Sequence, residues 1–155
     1  MSTLFRLIYI SAETAPLTQA GIDDLLAASH ASNTRDGISG NLLRASGTFA
    51  QLIEGPISVV ERTFLRIEWD RRHTDVHVVH RGAIDKRAAP VRPMGYCDLA
   101  TLPADERQRL GPSVRDGFRR VAPGLDVVME GELLSAFGSI FGAGTEAAAE
   151  NGWPG

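Results

Sequence analysis

The hairpin signal at residues 38–54 constrains this chain more than any other feature. Two runs of strand-forming residues, Ile38 to Arg44 and Thr48 to Glu54, are separated only by Ala45-Ser46-Gly47. A link this short joins antiparallel neighbours in one sheet. Helical periodicity flanks the pair on both sides. Upstream, Ile22, Leu25, Leu26 and Ser29 recur at helical spacing, and Asn33 falls one turn further along the stripe. Thr18 is placed to cap that helix after Pro16-Leu17, and Asp36-Gly37 ends it. Downstream, Gly55-Pro56 stops the sheet, Pro56 suits the first turn of a helix, and Ile57, Val60, Phe64 and Ile67 supply its apolar stripe.

A strand precedes this block, Leu4 to Ser11, with Phe5, Leu7, Tyr9 and Ser11 on one face. Another follows, Asp75 to Ile84, centred on Val76-His77-Val78-Val79-His80. Pro90 to Met94 reads as a turn, or as the start of a short fifth strand running through Tyr96. The order β-α-β-β-α-β with an added strand predicts a ferredoxin-like α+β sheet. Right-handed crossovers place both helices on one face.

Past Leu99 the character changes. Pro103, Pro112 and Pro123 divide the chain, and Asp105 to Leu110, Val114 to Val121 and Asp126 to Phe141 read as helices. Leu133, Phe137, Ile140 and Phe141 form a stripe that must be buried, and the helix-free face of the sheet is its natural place. Residues 100–142 are therefore expected to be a helical cap on a domain spanning 1–99, with 143–155 a flexible tail.

Composition adds exclusions. With 155 residues, 43% of them hydrophobic, and a net charge of −3, the chain reads as one globular domain with a small appendage. The mild acidity argues against bulk nucleic-acid binding. No apolar run reaches the roughly 18 residues of a membrane helix, and no signal peptide is evident, so a cytoplasmic location without membrane attachment is expected. The single cysteine, Cys97, offers neither an internal disulfide nor a thiolate zinc site, and no metal site is expected. His30, His77 and His80 share no metal-ligating spacing and read as structural or surface residues.

Three polar residues stand where the pattern wants apolar ones. Tyr9 lies between Leu7 and Ser11 on its face, Gln51 shares a face with Phe49 and Ile53, and Asn33 ends the stripe of the first helix. If the helices cover that face, all three point into the layer between sheet and helices. A buried amide without partners costs roughly 1–3 kcal/mol. Either these groups satisfy one another and the backbone, or they bond a ligand that both donates and accepts. Taken singly, each residue reads more readily as ordinary core.

The segments Phe5-Arg6-Leu7-Ile8-Tyr9-Ile10-Ser11, Ser32-Asn33-Thr34-Arg35-Asp36-Gly37-Ile38-Ser39-Gly40, Phe49-Ala50-Gln51-Leu52-Ile53-Glu54-Gly55-Pro56 and Asp70-Arg71-Arg72-His73 occur in that order. Together they resemble the BLUF family of flavin-dependent blue-light sensors, across about residues 3–98. The resemblance implies FAD between the two helices, with its ring pointing into the sheet-helix layer. It implies that Asn33 pairs with the ring's N3–H and a carbonyl, and that Leu25, Ser29 and Ile67 line the slot. Gln51 would sit between the N5/C4=O edge and the Tyr9 hydroxyl. The family's photochemistry starts with electron transfer from this Tyr, and the Gln side chain then rotates or tautomerises. Ser11 would trim the Gln51 network, and Met94 resembles a family Met that contacts the Gln in one state. Arg66 resembles a phosphate contact, with Asp70, Arg72 and His73 near the ribityl-phosphate and adenosine end.

Departures from the family pattern lie at and before the last strand, with one more at Ser39. Arg92-Pro93-Met94 stands where a Trp often precedes the Met by two residues, Ala88-Ala89 replaces bulkier residues, and Ser39 replaces a Thr. These bear on signal transmission more than on flavin binding. The implied function is a non-enzymatic blue-light photoreceptor. Because residues 100–155 are too few for an output enzyme, it is expected to signal to a separate downstream protein, and short family members commonly form homo-oligomers. The alternatives are a flavin-free ferredoxin-like interaction module and a small enzyme on this sheet. The chain shows no Gly-rich anion loop followed by an Arg and no coherent acid–base pair for the latter.

Overall fold

The computed structural model describes residues 3–88, 92–118 and 126–142. Strand β1 (Leu4–Glu13) leads to helix α1 (Gln19–Asp36), and the hairpin β2 (Ser39–Ala45) and β3 (Thr48–Pro56) leads to α2 (Ile57–Glu68). Then come β4 (His73–Ala83), β5 (Gly95–Asp98), a 3-10 turn (Leu99–Thr101), α3 (Ala104–Gln108), α4 (Pro112–Arg115) and α5 (Asp126–Phe141). The sheet order is β4-β1-β3-β2-β5. Neighbours run antiparallel except β5, which lies parallel to β2. This is the expected ferredoxin-like α+β sheet with its added strand.

Local chemistry explains most boundaries. The Thr18 hydroxyl accepts the Gly21 N–H and caps α1, and Gly37, at φ 71°, ends it in the left-handed region. Ser46 and Gly47 take φ of 52° and 76° between paired Ala45 and Thr48, so the hairpin turns on two residues of matching twist. Pro56 is the cap residue before α2 and not its first turn. Ile57, expected in the buried stripe, is 40% exposed. As the first helical residue its side chain tilts back toward the N-terminus, past the end of the sheet.

Other expectations on the cap side are also corrected. The helix expected over Val114–Val121 is a single turn, Pro112–Arg115, because Gly117 at φ 119° leaves helical space two residues later; residues 119–125 lie outside the described residues. The fifth strand begins at Gly95, so Arg92 to Met94 only lead into it; Pro90 and the expected tail at 143–155 lie outside the described residues.

Alternation along β1 sorts the core into two layers. On one face Ile8 and Ile10 pack with Leu43, Ala50 and Leu52 against Leu133, Phe137 and Phe141 of α5, so α5 covers the face that α1 and α2 leave open. His77 and His80 of β4 lie 3.0 Å from Asp126 and Glu130 of α5, one helical turn apart, and join the cap to the sheet edge. On the other face the core is split. Phe5, Leu7, Tyr9 and Ile53 pack with Val60 and Phe64 of α2, while Leu42, Phe49 and Met94 pack with Ile22 and Leu26 of α1.

A buried carboxylate holds the far end of the sheet. Glu54 is 1% exposed, accepts the Arg6 guanidinium at 2.7 Å and takes the Ala88 N–H at 3.0 Å. Arg87 donates to the carbonyls of Gly37 and Glu54 at 3.0 Å. The segment leading from β4 toward β5 is thereby clamped to β3.

Gly40 shows why this sheet needs a missing side chain at one point. A Cβ there would stand 2.5 Å from the Leu52 carbonyl oxygen, which is backbone and cannot turn aside. Gly40→Ala is expected to destabilise the fold by about 1–3 kcal/mol, read as a lower urea midpoint. An unchanged midpoint would show that β2 and β3 separate freely.

Candidate functional site

The gap between the two helix-side clusters is a cavity of about 350 Å³. It exists because the inner edge of α1 turns small and polar exactly where α2 approaches: Ala28, Ser29, Ser32 and Asn33 leave space that larger side chains would fill. From α2 it is lined by Thr63, Arg66 and Ile67, at the i, i+3, i+4 spacing of one helical face. Leu42, Phe49 and Gln51 form its floor with Tyr9 and Met94.

The polar residues singled out by the sequence converge here. Tyr9 pairs directly across the sheet with Gln51, and its hydroxyl donates to Gln51 Oε1. Gln51 Nε2 in turn donates to Met94 Sδ at 3.6 Å. Tyr9, Gln51 and Met94 are 4%, 6% and 1% exposed, so this relay is dry. Burial first, and the Asp70 carboxylate second, push the Tyr9 phenol well above its ordinary range and keep it protonated. Asn33 donates its amide to the Pro93 carbonyl at 2.7 Å, tying α1 to the segment that carries Met94.

Tyr9, Leu25, Ser29, Asn33, Gln51, Arg66, Ile67, Asp70, Arg72, His73 and Met94 all border the cavity. Ser11 does not. It shares Tyr9's face and is 3% exposed, but its hydroxyl lies 2.8 Å from His73 Nδ1, so it is engaged with His73 and not with the Gln51 network. Ala28, Ser32, Arg35, Leu42, Phe49 and Thr63 border the cavity without having been anticipated. The small ones look like ordinary helix packing in sequence. Thr63 alone carried a signal, as a polar residue within the apolar stripe of α2.

The mouth is a band of alternating charge. Asp36 stands between Arg35 at 3.0 Å and Arg66 at 3.4 Å, and Arg72 lies 2.5 Å from Asp70. The guanidinium bonded to each carboxylate holds it below the ordinary carboxylate range. Trp69, at the end of α2, is 81% exposed. Among the described residues, no three metal-binding side chains converge, and no helix is long and apolar enough to cross a membrane.

Two observations test whether a flavin ring fits. The Thr63 hydroxyl is buried at the cavity wall without a hydrogen-bond partner among the described residues, a cost that a polar ligand edge would remove. The walls mix apolar side chains, Leu25, Leu42, Phe49 and Ile67, with amides, hydroxyls and charged groups, a lining that suits a flat heteroaromatic ring with a polar edge. The residues present fit the group.

The fold and this slot define a small α+β domain whose cavity is floored by a buried hydroxyl–amide–thioether relay. The sequence profile of the BLUF family, described as sensors of blue-light using FAD, matches residues 4–95. The chain belongs to this family of blue-light sensors. It is 37% identical over 89 residues, 57% of this chain, to photoactivated adenylate cyclase subunit beta of Euglena gracilis, and covers 10% of that protein. The chain thus spans about a tenth of the length of that curated relative. Among solved structures, the dark state of BlrB, a BLUF protein, superimposes with TM-score 0.71 at 28% identity, over 90% of this chain and 98% of that one. Klebsiella pneumoniae BlrP1 with FMN and cyclic diGMP gives 0.65 at 29%, over 86% and 35%.

Cys97 illustrates how the same dry interior acts on a group outside the site. Burial, aided by Asp98, pushes its thiol from about 9 up to about 11. Tyr9 is shifted upward too. Unfolded thiols and phenols ionise near their ordinary values, while the folded forms stay protonated. The unfolded chain therefore binds fewer protons, and stability falls as pH rises from about 9 toward about 11. The melting temperature is expected to hold flat up to pH about 9 and drop beyond it; a flat profile to pH about 11 contradicts this.

Proposed function

We propose that this chain is a photoreceptor that holds FAD non-covalently in the cavity, and that Tyr9 and Gln51 convert light into a change of hydrogen bonding. The observation that carries the reading is the Tyr9–Gln51–Met94 relay at the floor of a slot whose wall has an unsatisfied hydroxyl. Asn33 would anchor the ring by its amide, and Leu25, Ser29 and Ile67 would hold it in plane. Arg66 and Arg72, beside Asp70, would meet the phosphate end of the ligand, while His73, whose two ring nitrogens lie against Ser11 and the Ile67 carbonyl, would only flank it. The cavity's volume suits a tricyclic ring with part of its chain, so the remainder of a dinucleotide would lie along the charged mouth.

Bound there, a flavin supplies blue-light absorption and, once excited, a one-electron oxidant beside Tyr9. The chain's own part follows from proton chemistry. Burial keeps Tyr9 neutral in the dark, so its proton is present to be moved. Oxidation of a phenol makes its hydroxyl strongly acidic, and Gln51 Oε1 is the acceptor already bonded to it. Gln51 presents a donor and an acceptor in nearly the same shape, so turning it changes every hydrogen bond around it with little change of volume. The contact it leaves, a thioether, is a weak acceptor and gives way easily. Met94 precedes β5 directly, so the turn of Gln51 is felt at a strand on the edge of the sheet.

The output is proposed to reach a separate effector protein, as the photoactivated cyclase relatives couple light to an enzyme. The test is the identity of the ligand. Protein purified in dim light is expected to be yellow and to release FAD on denaturation. A colourless protein that takes up neither FAD nor FMN contradicts the reading, and FMN alone corrects it.

A further inference from the structure

We propose that His73, fixed by Ser11, is a positioning residue for Tyr9; the proposal rests on the photoreceptor reading above. The Tyr9 ring is bounded by Phe64, with centroids 5.6 Å apart and planes at 48°, and by His73, at 6.0 Å and 69°. Phe64 is held by packing alone and tolerates sliding. His73 is held at both nitrogens. Its Nε2 lies 2.5 Å from the carbonyl oxygen of Ile67, and its Nδ1 lies 2.8 Å from Ser11 Oγ.

The carbonyl partner fixes the role of one ring nitrogen. A carbonyl oxygen only accepts, so Nε2 carries the proton and donates it. In a neutral imidazole Nδ1 is then the acceptor, and the Ser11 hydroxyl donates to it. Ser11 follows Tyr9 by two residues on the same face of β1, Ile67 is in the last turn of α2, and His73 is the first residue of β4. Three elements are thus tied together directly behind Tyr9. The imidazole edge meets the phenol ring at a fixed angle, and that angle aims the phenol hydroxyl at Gln51.

The Ser11 hydroxyl is the removable part of this mount. It does not border the cavity, so a change there alters the mount without cutting into the binding wall. Without it the imidazole is free to turn about its remaining bond, and fewer molecules hold Tyr9 in line with Gln51 at the moment of excitation. Loss of one hydrogen bond of ordinary strength corresponds to a fall of about threefold to tenfold in the aligned population.

Two readouts on the full chain test this. The first is nitrogen NMR of histidine-labelled protein, which reports the imidazole tautomer whether or not flavin is bound. Wild type is expected to show His73 protonated at Nε2 with an unprotonated, hydrogen-bonded Nδ1; Ser11→Ala is expected to lose that hydrogen-bonded signature, and Ser11→Thr to keep it. The second is the yield of the light-induced absorbance shift per absorbed photon, compared at matched flavin occupancy. Ser11→Ala is expected to lower it about threefold to tenfold, with Ser11→Thr restoring it. His73→Phe, which keeps a ring against Tyr9 but removes both nitrogens, is expected to match Ser11→Ala. A tautomer protonated at Nδ1 overturns the proposal, as does an unchanged yield in both Ser11→Ala and His73→Phe. A wild type that binds flavin and shows no light-induced shift overturns the photoreceptor reading itself, before any variant is made.

Discussion

Gln51→Leu is expected to bind flavin and to show no light-induced absorbance shift. Leucine is close to glutamine in bulk, and position 51 is 6% exposed on a floor shared with Leu42 and Phe49, so the slot keeps its shape. What disappears is the only side chain that bonds Tyr9's hydroxyl among the described residues and reaches Met94 at the same time. The hydroxyl of Tyr9 then has no amide to take its proton and no group whose reorientation stores the event. A hydrophobic replacement in a relay of this kind is an all-or-none change, since the signal is a rearrangement of hydrogen bonds and leucine makes none. Difference spectroscopy at matched flavin occupancy measures it. A residual shift of wild-type size would remove Gln51 from the mechanism.

The second large effect concerns the cap. Ending the chain at residue 125 removes α5 and with it Met129, Leu133, Ala136, Phe137, Ile140 and Phe141, all buried against the open face of the sheet. Each large apolar side chain fully removed from water contributes about 1.5–3 kcal/mol, and the strand residues left bare, Ile8, Ile10, Leu43 and Leu52, lose their cover as well. The total approaches or exceeds the roughly 5–15 kcal/mol by which native domains are stable. The truncated chain is expected to be unfolded or aggregated. Leu133→Ala, at a site with no exposure, is the milder form of the same test and is expected to cost about 2–5 kcal/mol. Circular dichroism melts decide it: a shortened chain that melts at the full-length temperature would show that the sheet domain is stable without α5. The buried side chains of α5 share one cluster with those of the sheet face they cover.

How far the sequence was legible depends on distance along the chain. Much of what is local was readable. Strand alternation put Tyr9 and Ser11 on one face, the Thr18 cap and the Gly37 stop bounded α1, and the hairpin was placed, although its turn takes two residues, Ser46 and Gly47, where a three-residue link was expected. Gln51 stands opposite Tyr9 through the β1–β3 pairing, which joins residues 42 apart and is not set by the hairpin. The contacts that escaped are long-range and polar. Ser11 meets His73 across 62 residues, and the Ala88 N–H meets Glu54 across 34. No periodicity signals such pairs, because each partner alone looks like a surface residue or a turn. Ile57 was misread for a simpler reason: helical spacing gives a face but not where along the helix the sheet ends. The cavity was legible only through its polar members. Ala28 and Ser32 shape it by being small, and smallness at a helix interface is also what close packing looks like.

The light-minus-dark difference spectrum of the flavin-loaded wild type tests the central claim most directly. The account predicts a small shift of the flavin absorption to longer wavelength under blue light, returning in the dark, and absent in Gln51→Leu. A flavin spectrum that is unchanged by illumination, in protein whose slot is fully loaded, would contradict it.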